Sequence, residues 1–196
     1  MELAGLYRVA VGSLRAGDPP PGPSSPAASS STSAAASPTA SISTAAPAAA
    51  KGRSGASICQ DVAGDSTSVD IDQVKLISEG NLLFMTFMTT ADLPRTGTVQ
   101  YSVTAWSPDG KSGYQMGAKF QNGVEISNFV FDLAKNRQKN ITNGAIAADK
   151  QVSTRYPLSE IAGLGDTFGW SATVTANGTD VDRCLDGDVK TTFPDP

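Results

Sequence analysis

The chain contains no histidine at all. That removes the commonest general base and the commonest transition-metal ligand together, and with them any Ser-His-Asp triad or Cys/His zinc set. Cysteine is nearly as scarce, with only Cys59 and Cys184, which excludes a disulfide-dense scaffold or a four-thiolate metal centre. There is no Gly-x-Ser-x-Gly nucleophile turn and no phosphate-cradling glycine loop. No apolar run is long enough to cross a bilayer. Clustered cations are missing as well. The formal charge is −4, and the four charged residues of the first fifty (Glu2, Arg8, Arg15 and Asp18) cancel, so the acidic excess falls on the remainder. Phosphate backbones need concentrated Lys and Arg, which speaks against nucleic acid as a partner.

What is present divides unevenly. Residues 18 to 50 read DPPPGPSSPAASSSTSAAASPTASISTAAPAAA, with no aromatic residue and one large aliphatic, Ile42. Such a segment buries too little apolar surface to offset the entropy of ordering. Residues 1–57 are therefore expected to form a disordered tail or stalk. The opening MELAGLYRVAVGSL does not have the form of a signal peptide, because Glu2 comes first and Arg8 interrupts the apolar run. An export signal upstream of Met1 and a short helical or disordered start are both open.

Residues 58–190 read as one domain, with a disordered end at 191–196. The two cysteines bracket it. They are either two buried thiols of a cytosolic protein or one disulfide of an exported one, and their position at the two domain ends favours the bridge. A bridge requires their Cα atoms to lie within about 7 Å.

Between the cysteines, hydrophobicity alternates with a period of two. Ile71–Ser78 and Leu82–Thr89 flank the turn Glu79-Gly80-Asn81 and predict a hairpin. The second run is apolar on both faces and belongs in the middle of a sheet. Thr98–Trp106 points Val99, Tyr101, Val103 and Ala105 one way, and Gly113–Phe120 does the same with Tyr114, Met116, Ala118 and Phe120. Asn122-Gly123 is a hairpin signal. The alternation of Val124–Leu133 changes phase between Ile126 and Phe129, which predicts a bulge. Residues 135–143 form a polar connection, residues 145–156 give one or two short strands, Pro157–Ala162 one helical turn, and Thr167–Thr175 the last clear strand. The fold class is all-β: a single antiparallel β-sandwich of seven to eight strands.

Three groups are candidates for a site. Joining Cys59 to Cys184 brings Asp61 and Asp65 near Asp182 and Asp186, and convergent carboxylates suit calcium. The same residues also read as solvated charges at the domain ends, and no EF-hand spacing is present. Trp106 leaves the phase of Val103 and Ala105, so its ring is a candidate platform for a sugar. Tyr101, Tyr114 and Tyr156 are further aromatic candidates, although alternation assigns Tyr101, Tyr114 and Trp170 to the core. The basic loop Lys135–Lys139 reads either as a contact for an anionic polymer or as solvated. For catalysis the one remaining idea is a carboxylate pair such as Asp109 and Asp132, which no spacing singles out.

The succession Asp61–Gly64–Asp65, the step Asp70-Ile71 into a strand, the loop at Leu93-Pro94, the turn Pro157-Leu158, the strand Phe168-x-Trp170 and the pair Asp180/Asp182 resembles the β-sandwich domains of bacterial surface proteins. It is similar in layout to DOMON-like and family 9-like carbohydrate-binding modules, over residues 59 to about 188. The resemblance implies secretion and binding of sugar, heme or calcium. The lack of histidine removes a usual axial ligand of heme. The expectation is a non-enzymatic binding module of the extracellular space or cell envelope, whose partner is a polysaccharide or an envelope component. The alternatives are a structural envelope protein without a small ligand and a carboxylate-dependent glycoside hydrolase.

Overall fold

A computed structural model describes residues 54–185 and 190–196; the expected tail over 1–53 and the candidate Asp186 lie outside the described residues. Two antiparallel sheets pack face to face. The smaller is built from β1 (Gly55–Gln60), β2 (Ile71–Glu79), β3 (Leu82–Thr89), β8 (Ile146–Ala148) and β9 (Gln151–Pro157), in the order β1-β2-β3-β9-β8. The larger holds β4 (Thr98–Trp106), β5 (Gly113–Gln121), β6 (Val124–Asp132), β7 (Arg137–Asn140), β10 (Phe168–Ala176) and β11 (Thr179–Cys184). Its order is β11-β10-β4-β5-β6-β7, with β12 (Thr191–Phe193) also pairing with β10.

The alternation does what it predicts. Val99, Tyr101, Val103 and Ala105 of β4, Met116, Ala118 and Phe120 of β5, and Phe168, Trp170, Ala172 and Val174 of β10 are all buried between the sheets. They meet Val74, Leu76, Leu83, Met85 and Phe87 from the smaller sheet. The run Leu82–Thr89 is central in its sheet, between β2 and β9, but only one of its faces is covered; Met88 on the other is 40 % exposed. The phase change in β6 is a bulge: Lys119 pairs with Ser127 and Phe120 with Glu125, so Ile126 is the extra residue. Asn122-Gly123 closes β5 onto β6 with both φ angles positive, 51° and 78°, as a tight two-residue hairpin turn requires. Pro157 leads into a short 3₁₀ helix, Leu158–Leu164, which turns Leu158, Ile161 and Leu164 inward.

The structure departs from expectation at three edges. Among the described residues there are twelve strands, several of them short. β1 begins at Gly55, inside the stretch expected to be tail, and Ser57 is fully buried. Its hydroxyl accepts the Trp170 indole N–H at 3.0 Å and lies 2.8 Å from the Thr192 carbonyl and 2.7 Å from Asp195 Oδ1. The C-terminus expected to be disordered forms β12, where Phe193 stacks on Phe168 with ring centroids 4.8 Å apart. The polar connection after β6 contains β7, an edge strand whose four residues are all exposed. No helix among the described residues is long and apolar enough to cross a membrane.

Candidate functional site

Cys59 in β1 and Cys184 at the end of β11 form a disulfide, with Cα atoms 6.1 Å apart. Because β1 and β11 belong to different sheets, the bridge ties the two layers together. It also draws the carboxylates to one end. Asp61, Asp65 and Asp182 each offer an oxygen, and these oxygens lie within 4.8 Å of one another. That spacing is what a single calcium, with oxygens at about 2.3–2.6 Å, can bridge.

Asp70, which sequence reasoning treated only as the entry to a strand, organises the loop that carries Asp61 and Asp65. Its carboxylate accepts the Thr90 hydroxyl at 2.6 Å, the Gly64 N–H at 2.9 Å and the Ser66 N–H at 3.3 Å. These bonds, the Thr90 hydroxyl first, hold its pKa below the usual range. The Ser66 hydroxyl then ties the loop to the Val181 carbonyl of β11 at 3.0 Å. Asp182 behaves oppositely. Burial pushes its pKa up, and the neighbouring charges of Asp65 and Asp70 add to the rise against the N–H groups of Ile71 and Arg183. Those donors lie at 2.5 and 2.8 Å.

The second candidate is the outer face of the larger sheet. Trp106 sits there, as its phase predicts. Its ring lies flat over Gly113, where an added Cβ would come within 2.3 Å of it, and the Lys190 ammonium is 5.7 Å from the ring centroid. Farther across the same face, strand register assembles residues that are far apart in sequence. Thr104, Gln115, Phe131 and Gln138 stand in one row across β4, β5, β6 and β7, and Ser102, Gly117, Phe129 and Asn140 in the next. Gly117 has no side chain to occupy its place, so Phe129 lies across it; a Cβ there would be 2.9 Å from the Phe129 ring. The result is a groove of about 530 Å³ lined by Phe131 and the nearly buried Phe129, with Gln100, Gln115, Gln138 and Lys119 among its polar groups. Its volume lies within the range of small-molecule sites. Each glutamine offers an amide donor and an acceptor, the pairing that a sugar hydroxyl matches.

The remaining candidates separate. Tyr101, Tyr114 and Tyr156 are buried core residues. In the basic segment, Lys135 pairs with Asp132 at 2.8 Å and Lys139 with Glu160 at 2.5 Å. Asp109 accepts the Ser107 hydroxyl and Asp132 the Lys135 ammonium, and these bonds hold both carboxyls below the usual range. The general acid of a glycosidase needs the opposite, a carboxyl held above that range. Comparison with protein-family models, with curated proteins and with solved structures finds no match for this chain.

Proposed function

We propose that this chain is a non-enzymatic binding module of the extracellular space or cell envelope that holds a carbohydrate on the outer face of its larger sheet. The observation that carries the reading is the groove in which three glutamines surround Phe129 and Phe131, on the same face as Trp106. Aromatic surface takes the apolar face of a pyranose, and convergent amides take its hydroxyls. The disulfide supports an oxidising compartment, and the resemblance to envelope carbohydrate-binding modules points the same way. The low pKa values of Asp109 and Asp132 argue against the hydrolase alternative.

The test is retention of the full, oxidised chain on a panel of soluble glucans, chitin and cell-wall polysaccharide. One class should be bound, and Gln115→Ala and Phe131→Ala should each weaken it about tenfold, which is about 1.4 kcal/mol. Retention of none of them, or binding unchanged in both variants, would sink the reading.

A second reading is a calcium site at the disulfide end, favoured by the convergence of Asp61 and Asp65, on a loop already held by Asp70, with Asp182 of β11. A ligand of the folded state alone raises the unfolding midpoint by mass action. Calcium against EDTA should therefore shift the melting of the full chain, and Asp65→Ala should abolish the shift. A midpoint that ignores calcium would sink the calcium reading.

A further inference from the structure

The groove on the larger sheet holds a charge that its surroundings do not answer. Lys119 is the one charged residue among those that line it, and it stands half-buried in β5. Lys111, Lys135, Lys139 and Arg183 each hold a carboxylate within 3.4 Å. Lys119 holds none among the described residues. Strand register gives the reason. Straight across from it are Gln100 of β4 and Ser127 of β6. No Asp or Glu takes an outward position on β4, β5, β6 or β7. Glu125 and Asp132 stand opposite the buried, inward Phe120 and Tyr114, and the Glu125 carboxylate accepts the Ala145 N–H. In a chain of formal charge −4, this face is kept clear of acid and carries a cation at its middle.

The neutral donors sort the same way. Gln115 spends an amide N–H on the Ser102 hydroxyl at 3.2 Å, and Gln138 spends one on Asn140 at 2.8 Å. The Gln100 amide has no hydrogen-bond partner among the described residues, and it is the direct cross-strand neighbour of Lys119. Side chains so placed start about 4.5–5.5 Å apart, so the amide and the ammonium can meet on one group. A neutral hydroxyl would use the amide and leave the ammonium to water. A carboxylate or sulfate uses both, and hydrogen bonds to a charged oxygen are about twice as strong as neutral ones. The row of Gln115 and Phe131 lies four residues along β5 from Lys119, roughly 14 Å at about 3.4 Å per residue. That is longer than one sugar ring, so a ligand that touches both rows is a chain of sugars.

We propose that the ligand of the groove is an acidic oligosaccharide, with a carboxylate or sulfate on Lys119 and Gln100 and its rings running toward Phe131 and Gln115. This deepens the groove reading and rests on it. The basic segment 135–139 is not the anion site, because Arg137 and Lys139 are in register with Asp132 and Val130 on the other side of the sheet, and Asp132 and Glu160 already neutralise two of its three cations.

The experiment is calorimetric titration of the full, oxidised chain with two matched pairs: an oligogalacturonate against its methyl ester, and a sulfated oligosaccharide against its desulfated parent. At low salt the acidic member of one pair should bind about tenfold tighter than its neutral partner, and the gap should narrow as salt rises. The pair that shows the gap tells a carboxylate ligand from a sulfate. Lys119→Gln, at a surface position, should melt with the parent and bind acidic and neutral members alike. Lys119→Arg should keep the preference, and Arg137→Gln should leave it unchanged. Equal binding within both pairs, or a preference that survives Lys119→Gln, would overturn the proposal; if Phe131→Ala still weakened binding, the groove reading would stand without it. A preference lost in Arg137→Gln and kept in Lys119→Gln would put the anion on the other side of the sheet and overturn it too. Binding of none of the four sugars, together with none of the neutral polysaccharides, would sink both.

Discussion

Removing the Cys59–Cys184 bridge should be the most destabilising small change to this protein. The two sulfurs are 125 residues apart in sequence, and the loop they close contains nearly every strand. Closing a loop of that length costs the unfolded chain roughly 16–17 cal/mol/K, or about 5 kcal/mol at 25 °C. Real bridges often deliver somewhat less, so a loss of about 3–5 kcal/mol is expected, a large share of the 5–15 kcal/mol typical of domains. The assay is urea unfolding of the oxidised protein, the protein in reductant, and the double variant Cys59→Ala/Cys184→Ala. Alanine is chosen because both positions are buried and serine would strand a hydroxyl there. The uncrosslinked chain exposes more surface on unfolding, so the slope m should rise as the midpoint falls. The melting temperature should drop by about 10–20 °C. A loss below about 1 kcal/mol with unchanged m would refute the reasoning. It would mean that the pairing of β1 and β11 within their sheets already holds the ends and that the bridge constrains nothing.

Three other outcomes follow from the packing and the charges. Ser57→Ala should cost about 1–3 kcal/mol in urea, because it leaves the buried Trp170 indole N–H without an acceptor. Gly117→Ala should cost about 1–3 kcal/mol as an overpacked site, since the new Cβ would meet the Tyr101 carbonyl at 3.0 Å and backbone cannot swing aside. Asp182 and Asp70 should pull stability in opposite directions with pH. The raised Asp182 pKa means that its folded form binds a proton more readily than the unfolded chain, so stability is lost as pH rises through that folded value. The lowered Asp70 pKa makes its contribution present above the ordinary carboxylate value and lost as pH falls through the folded one. Carboxyl ¹³C titration should place Asp182 above and Asp70 below the usual range, and Asp65→Ala should move Asp182 part of the way back. An unshifted Asp182 would contradict the burial argument.

The strands were legible because a sheet with one covered face writes its pattern into the chain with a period of two. That is why Val99 to Ala105, Tyr114 to Phe120 and Phe168 to Val174 could be assigned inward residue by residue. The bulge was legible because inserting one residue inverts that pattern locally. Two cysteines at the domain ends allowed one bridge, and the bridge in turn named three carboxylates that meet. The edges were not legible. The residues of β7, Arg137 to Asn140, bury nothing, so no alternation marks them. The strand β12 is three residues long, and only its neighbours β10 and β1, distant in sequence, give it a place. Ser57 reads as linker because its burial depends on an indole 113 residues away. The groove could not be read at all. Gln115, Phe131 and Gln138 become neighbours through strand register, and Tyr101 meets Phe87 only because two sheets face each other. The sequence by itself determined which side of β4, β5 and β10 is buried, since that depends on local order alone. The tertiary structure decided which outward side chains share a surface, because that depends on contacts between segments that local order leaves independent.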